Sequence, residues 1–133
     1  MMASLRNERR IAAPADVVWN VVRRPESIPD WFPGIVSCHV EGNRRTITTA
    51  IGLEMPEEIL ACDDSLRHFA YRILAPVYKF HLGTIDVIDL GPRDSLCIYS
   101  TTAEPDALAL VISGATVDAL REIERIVLQA AKE

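Results

Sequence analysis

The stretch Pro105–Glu133, PDALALVISGATVDALREIERIVLQAAKE, decides how the rest of the chain is read. Leu108, Ile112, Ala115, Ala119, Ile123, Ile126 and Ala130 recur at three- and four-residue steps, so they share one face of an α-helix. Asp118, Arg121, Arg125, Gln129 and Lys132 fall on the other side. A helix of this length reaches roughly 40 Å at 1.5 Å per residue, enough to cross a small domain. One sheet curved around one such helix leaves a hollow between them. The small inner residues Ala115 and Ala119 favour an open hollow over a filled core. This layout points to a ligand chamber rather than to a catalytic motif.

Working back from that helix, the chain alternates strands and turns. Leu5 to Ala13 reads as a first strand. Pro14 and Asp16 open a short helix carrying Val17, Val18, Trp19, Val21 and Val22, apolar nearly all round and therefore expected to be buried. Pro25 stops it, and Glu26 to Phe32 forms a second short helix ended by Pro33-Gly34. Ile35 to Glu41 and Arg44 to Ile51 flank Gly42-Asn43, a hairpin turn. Glu57 to Cys62 and Arg67 to Leu74 flank Asp63-Asp64-Ser65. Val77 to Leu90, bent at Gly83, turns through Gly91-Pro92-Arg93-Asp94 into Leu96 to Thr102. The order is strand, two helices, six strands and one long helix, kinked at Ser113-Gly114: an α+β fold in a single domain spanning 1–133.

Composition narrows the function. The 133 residues are 49% hydrophobic and carry a net charge of -5, which argues against nucleic acid as a partner. The dipeptides Arg9-Arg10, Arg23-Arg24 and Arg44-Arg45 read as solvated faces. No apolar run approaches the ~20 residues of a membrane span, and Met1 to Arg10 lacks the apolar core of a signal peptide. Cys38, Cys62 and Cys97 lie in strand-like runs, which suggests reduced, buried thiols and a cytoplasmic location. His39, His68 and His81 fall on three separate strands without a short ligand spacing, so neither a metal nor another cofactor is expected.

The element order, with Ala13-Pro14-Ala15-Asp16-Val17-Val18-Trp19 near its start, resembles the START/polyketide cyclase/Bet v 1-like (SRPBCC) superfamily, and within it a polyketide cyclase/dehydrase-like member. Glu57-Glu58-Ile59 followed by Asp63, Arg67 and Tyr71 fits the same pattern, as does Ala119-Leu120-Arg121-Glu122-Ile123. The resemblance implies a helix-grip fold: a curved seven-stranded antiparallel sheet wrapped around the C-terminal helix. It also implies a cavity for a small hydrophobic molecule such as a lipid, polyketide or isoprenoid. Val17 to Val40 is similar to the plant abscisic-acid receptors, but Phe32 stands where they place a lysine for the ligand carboxylate. Gly52-Leu53-Glu54-Met55-Pro56 likewise replaces their gate. Fold alone does not settle function here.

Period-two alternation puts Glu57, Ile59 and Ala61 on one strand face. If that face is concave, the Glu57 carboxyl enters an apolar chamber, where it either meets a ligand or pairs with an arginine at the mouth. Tyr71 and His81 are expected at cavity-facing positions by the resemblance. His81 would hydrogen-bond a ligand or, in an enzyme, join Glu57 as an acid/base pair. Trp31 and Phe32 rim the chamber, and Ile112, Ala115 and Ala119 form its helix wall. On the last strand the resemblance favours Ile98 and Ser100 facing inward, alternation alone allows Tyr99 and Thr101, and a bulge would reconcile the two. Leu53, Met55 or Tyr78 could instead fill the space. The reading is a carrier or binder of a small hydrophobic molecule, monomeric or homodimeric, with no stable membrane insertion. The alternative is a cyclase/dehydratase-like enzyme.

Overall fold

A computed structural model describes residues 1–133. Its elements are β1 (Ala3–Ile11), α1 (Ala15–Val22), a 3-10 turn (Pro25–Ser27), α2 (Ile28–Trp31), β2 (Ile35–Glu41) and β3 (Arg44–Thr49). They continue as β4 (Glu54–Asp63), β5 (His68–Ile73), β6 (Phe80–Gly91), β7 (Asp94–Glu104) and α3 (Asp106–Ala130). All seven strands join one antiparallel sheet in the order β1-β7-β6-β5-β4-β3-β2. From β2 to β7 each strand pairs with its chain neighbour, while β1 crosses to lie beside β7. The curved sheet grips α3, which packs on β1 and β7 with α1 and α2 alongside. This is the helix-grip architecture.

Strand parity follows the apolar pattern. On β6, His81, Gly83, Ile85 and Val87 are buried while Leu82, Thr84 and Asp86 are only partly covered. On β7 the buried set is Ser95, Cys97, Tyr99, Thr101 and Ala103. The β6–β7 ladder runs unshifted from Phe80↔Glu104 to Asp89↔Ser95, so no bulge interrupts β7 at residues 98–100. Ile98 and Ser100 therefore lie on the outer face, against the expectation from resemblance; simple alternation gives the correct answer.

Three further expectations need revision. The β5–β6 connection takes up Val77, Tyr78 and Lys79, because Tyr78 N–H turns back to the Ala75 carbonyl at 3.1 Å; β6 starts only at Phe80. α1 is one-sided rather than buried all round: Ala15, Val18, Trp19 and Val22 face the core, but Val17 is 41% exposed. Of the three thiols only Cys97 is buried; Cys38 is partly covered and Cys62 is exposed.

The long helix is helical throughout Ser113 and Gly114. Its buried residues are Ala109, Thr116, Ala119, Leu120, Ile123 and Val127. This stripe is turned by about one residue from the apolar face read in the sequence, and Ala130 is exposed. The turn has a visible cause. Asn7 of β1 donates to Thr116 Oγ1 at 2.8 Å and to the Ser113 carbonyl at 3.0 Å, drawing a polar pair into the seam.

Candidate functional site

Between the sheet and the N-terminal half of α3 lies a cavity of about 200 Å³. Strands β3, β4 and β5 contribute Ile47, Met55, Glu57, Tyr71 and Ile73. Ile112 and Ala115 form the helix side, with Val111 at its edge and Phe32 at the turn after α2. The chamber is smaller than the ~300 Å³ or more of ordinary ligand sites. It exceeds the roughly 150 Å³ that admits benzene in a well-packed core. Met55, one residue expected to fill the space, forms part of its wall. Leu53 points out at 53% exposure, and Tyr78 packs against His81 instead.

Glu57 is the polar centre of this wall. β3 and β4 pair with Arg45 directly opposite Glu57, and both side chains are only 2% exposed. Glu57 Oε1 accepts from Arg45 Nε at 2.8 Å, and Arg45 Nη2 lies 2.8 Å from the same oxygen. Arg45 Nη1 donates to the Pro25 carbonyl at 2.9 Å, tying the pair to the turn before α2. The guanidinium also stands over the rings of Tyr71 and Phe69, 5.2 and 5.6 Å from their centroids, a favourable cation–π arrangement. Burial pushes the Glu57 carboxyl above the usual carboxylate range, opposed by the charge and hydrogen bond of Arg45. Oε2 takes no protein donor and is not among the sealed unpartnered atoms, so it keeps contact with the cavity.

Arg45 corrects the reading of Arg44-Arg45 as a solvated face. Only Arg44 is outside, where it and Arg72 flank Glu58 at 3.6 and 2.9 Å. The pattern that could have found Arg45 was present: it has the parity of Ile47, which is buried. The expected arginine partner of Glu57 is therefore real, but it sits inside the fold rather than at the mouth.

Tyr71 supplies the second polar group. Its hydroxyl lies 2.6 Å from that of Tyr99 across the concave face, and burial raises both phenols well above their ordinary range. To reach Tyr99 on β7 the Tyr71 ring must cross β6. It does so over Gly83, where any Cβ would come within 2.6 Å of Tyr71 Cζ. The glycine is thus required by close approach, and the ladder passes through it without a register shift.

His81 is buried on the concave face but does not border this cavity. Its Nδ1 accepts the Ile73 N–H at 2.9 Å, where the β5–β6 ladder has ended. The side chain stands in for a missing backbone acceptor. Burial lowers its pKa to about 4, keeping it neutral near pH 7. Glu57 and His81 are consequently not assembled as an acid/base pair.

The other expected residues divide. Phe32, Ile112 and Ala115 border the cavity with Glu57 and Tyr71. Trp31 is buried behind it, donating to Ser27 Oγ at 3.0 Å and packing on Phe32 and Tyr99. Ile59 and Ala119 belong to the surrounding core rather than to the cavity wall. Ile98 and Ser100 are excluded by their face. No cluster of three or more His, Cys, Asp or Glu side chains is placed to hold a metal ion, and no helix is long and apolar enough to cross a membrane.

The fold has close structural counterparts. An uncharacterized protein from Bacillus thuringiensis matches at a TM-score of 0.86 and 26% identity, over 95% of this chain and 99% of its own. The protein XoxI from Bacillus cereus matches at 0.89 and 24%, over 97% and 98%. The Zhui aromatase/cyclase from a Streptomyces species matches at 0.82 and 16%, over 98% and 96%. No curated protein sequence matches the chain. A family model described as polyketide cyclase/dehydrase and lipid transport covers residues 2–130. The chain belongs to that family.

Proposed function

We propose that this protein binds a small, mostly apolar molecule carrying one hydroxyl or carbonyl group, held between the sheet and α3. The observation that carries this reading is a largely apolar chamber of about 200 Å³ whose wall includes Glu57 and Tyr71. Glu57 Oε2 serves as acceptor. Either hydroxyl can donate in the Tyr71–Tyr99 bond; with Tyr99 as its donor, the Tyr71 proton is free for the guest. A hydroxyl between them would satisfy both, and a carbonyl would take the Tyr71 proton. The chamber suits a single ring or a short chain, not the whole of a long polyketide. Binding therefore agrees better with the geometry than cyclisation, and Arg45 occupies Glu57 in a way that suits positioning more than proton transfer.

The three thiols, none in a disulfide, fit the cytoplasm as the working compartment. Calorimetry and amide shift mapping with phenol, benzyl alcohol, toluene and short alkanols test the proposal. Binding of the alcohols should exceed that of toluene, and Tyr71→Phe should erase the difference. Toluene binding as well as benzyl alcohol, or no shifts at Tyr71, Ile112 and Ala115 with any of them, would reject it.

A further inference from the structure

Three buried side-chain polar atoms have no hydrogen-bond partner: Arg45 Nη2, His81 Nε2 and Thr101 Oγ1. Arg45 Nη2 already has the Glu57 charge 2.8 Å away. The remaining two are 4% and 2% exposed residues on adjacent strands. Native folds rarely leave such groups unmatched, so each asks for an occupant.

Their positions coincide. His81 pairs with Ala103 and Gly83 pairs with Thr101, so the four form a square on the concave face with His81 and Thr101 at one diagonal. Diagonal neighbours of this kind lie ~7–8 Å apart at Cα, too far for a direct bond from a threonine but suited to one bridging oxygen. The other diagonal is Gly83 and Ala103: the Tyr71 ring covers Gly83, and Ala103 adds only a methyl group.

The chemistry is complementary as well. Because Nδ1 accepts the Ile73 N–H, the imidazole proton must reside on Nε2, making that atom a donor only. Thr101 can donate or accept. Tyr71 Oη, which would stand 2.9 Å from a Cβ on Gly83, offers a further lone pair beside the square. A water molecule needs two to four such partners to remain inside a protein.

We propose that His81 Nε2–H and Thr101 Oγ1 hold a single internal water between β6 and β7, a site separate from the apolar chamber. The water would join side chains above a β6–β7 ladder whose backbone pairing is continuous there. It does not depend on the ligand reading above.

The test is a water-selective NMR measurement on the full-length, ligand-free, isotope-labelled protein, read at the His81 Nε2–H proton. A cross-peak to water with the sign of a rigidly held molecule is expected. Thr101→Val should remove it and speed exchange of that proton roughly tenfold, the equivalent of one ordinary hydrogen bond, whereas Thr101→Ser should retain it. A high-resolution crystal structure should show one isolated peak within hydrogen-bond distance of both atoms. Contacts from the Nε2 proton solely to carbon-bound protein protons, with an empty gap in the crystal, would overturn the proposal. Larger continuous density there, with cross-peaks to an unlabelled molecule, would overturn the assignment to water in favour of a co-purified guest.

Discussion

Replacing Arg45 by methionine isolates what the buried pair does. In the native fold both Arg45 and Glu57 are 2% exposed and joined at 2.8 Å. The substitution strands a carboxylate in an apolar wall, frees the Pro25 carbonyl and removes the cation over Tyr71 and Phe69. Breaking one half of a buried pair costs about 3–5 kcal/mol, a large share of the roughly 5–15 kcal/mol that holds a domain folded. Arg45→Met should therefore move the urea midpoint strongly while leaving the slope unchanged. The Arg45→Met/Glu57→Met double variant should recover at least about 2 kcal/mol of that loss, because no charge is then left unpaired. The pH dependence supplies an independent sign. Without Arg45, the Glu57 carboxyl in the folded state is raised further above its unfolded value, so the folded form takes up a proton more readily. The penalty should shrink as pH falls toward 5 and grow as pH rises. If Arg45→Met does not fold, Arg45→Lys, which keeps the charge and loses the fork, should show a smaller loss. A cost below about 1 kcal/mol, or a double variant no better than the single one, would show that water reaches the pair and would refute the reasoning.

Gly83→Ala should destabilise by about 1–3 kcal/mol, the usual cost of overpacking, because its Cβ would meet the Tyr71 ring at 2.6 and 2.7 Å. Thermal melts of Gly83→Ala in a Tyr71→Leu background check the cause: the penalty should largely vanish there. His81 gives a pH prediction. Its pKa falls from 6.5 to about 4 on folding, so its contribution is intact above 6.5 and is lost as pH drops toward 4. The full loss is roughly 3 kcal/mol, and a His81→Gln variant measured by urea titration between pH 7 and 4 should show a correspondingly flatter profile. Ala115→Leu should fill the chamber, abolishing binding of the small alcohols while leaving the melting temperature unchanged or higher.

The sequence was most legible where one period dominates. α3 and the Gly42-Asn43 hairpin follow from local spacing, while alternation only groups Glu57 with Ile59 and the resemblance supplies their inward direction. The order from β2 to β7 follows from chain neighbours pairing in turn, but the place of β1 beside β7 does not. What resisted reading was set by contacts across the chain. Thr116 is buried because Asn7, more than a hundred residues earlier, reaches it. Arg45 was hidden by its dipeptide: charge density suggested a wet surface, although its parity with Ile47 pointed inward. Ile98 and Ser100 were misplaced when resemblance outweighed alternation on a strand with no bulge. His81 faces inward as expected, but only the end of the β5–β6 ladder reveals that its nitrogen is spent on Ile73.

The doubled charges on β3 and β4 also bear on how the hairpin finds its alignment. Arg44 opposes Glu58 and Arg45 opposes Glu57. Sliding one strand by a residue still sets an arginine against a glutamate, as Arg45 against Glu58 or Arg44 against Glu57. Electrostatic attraction thus helps these segments meet, and a slipped pairing still keeps one Arg–Glu pair against the two of the native alignment. The larger discrimination comes from Ile47 and Met55, which oppose each other only in the native alignment; a slip turns one of them to solvent. Early in folding, mispaired hairpins should therefore form readily and be sorted out only when the apolar side chains find the core.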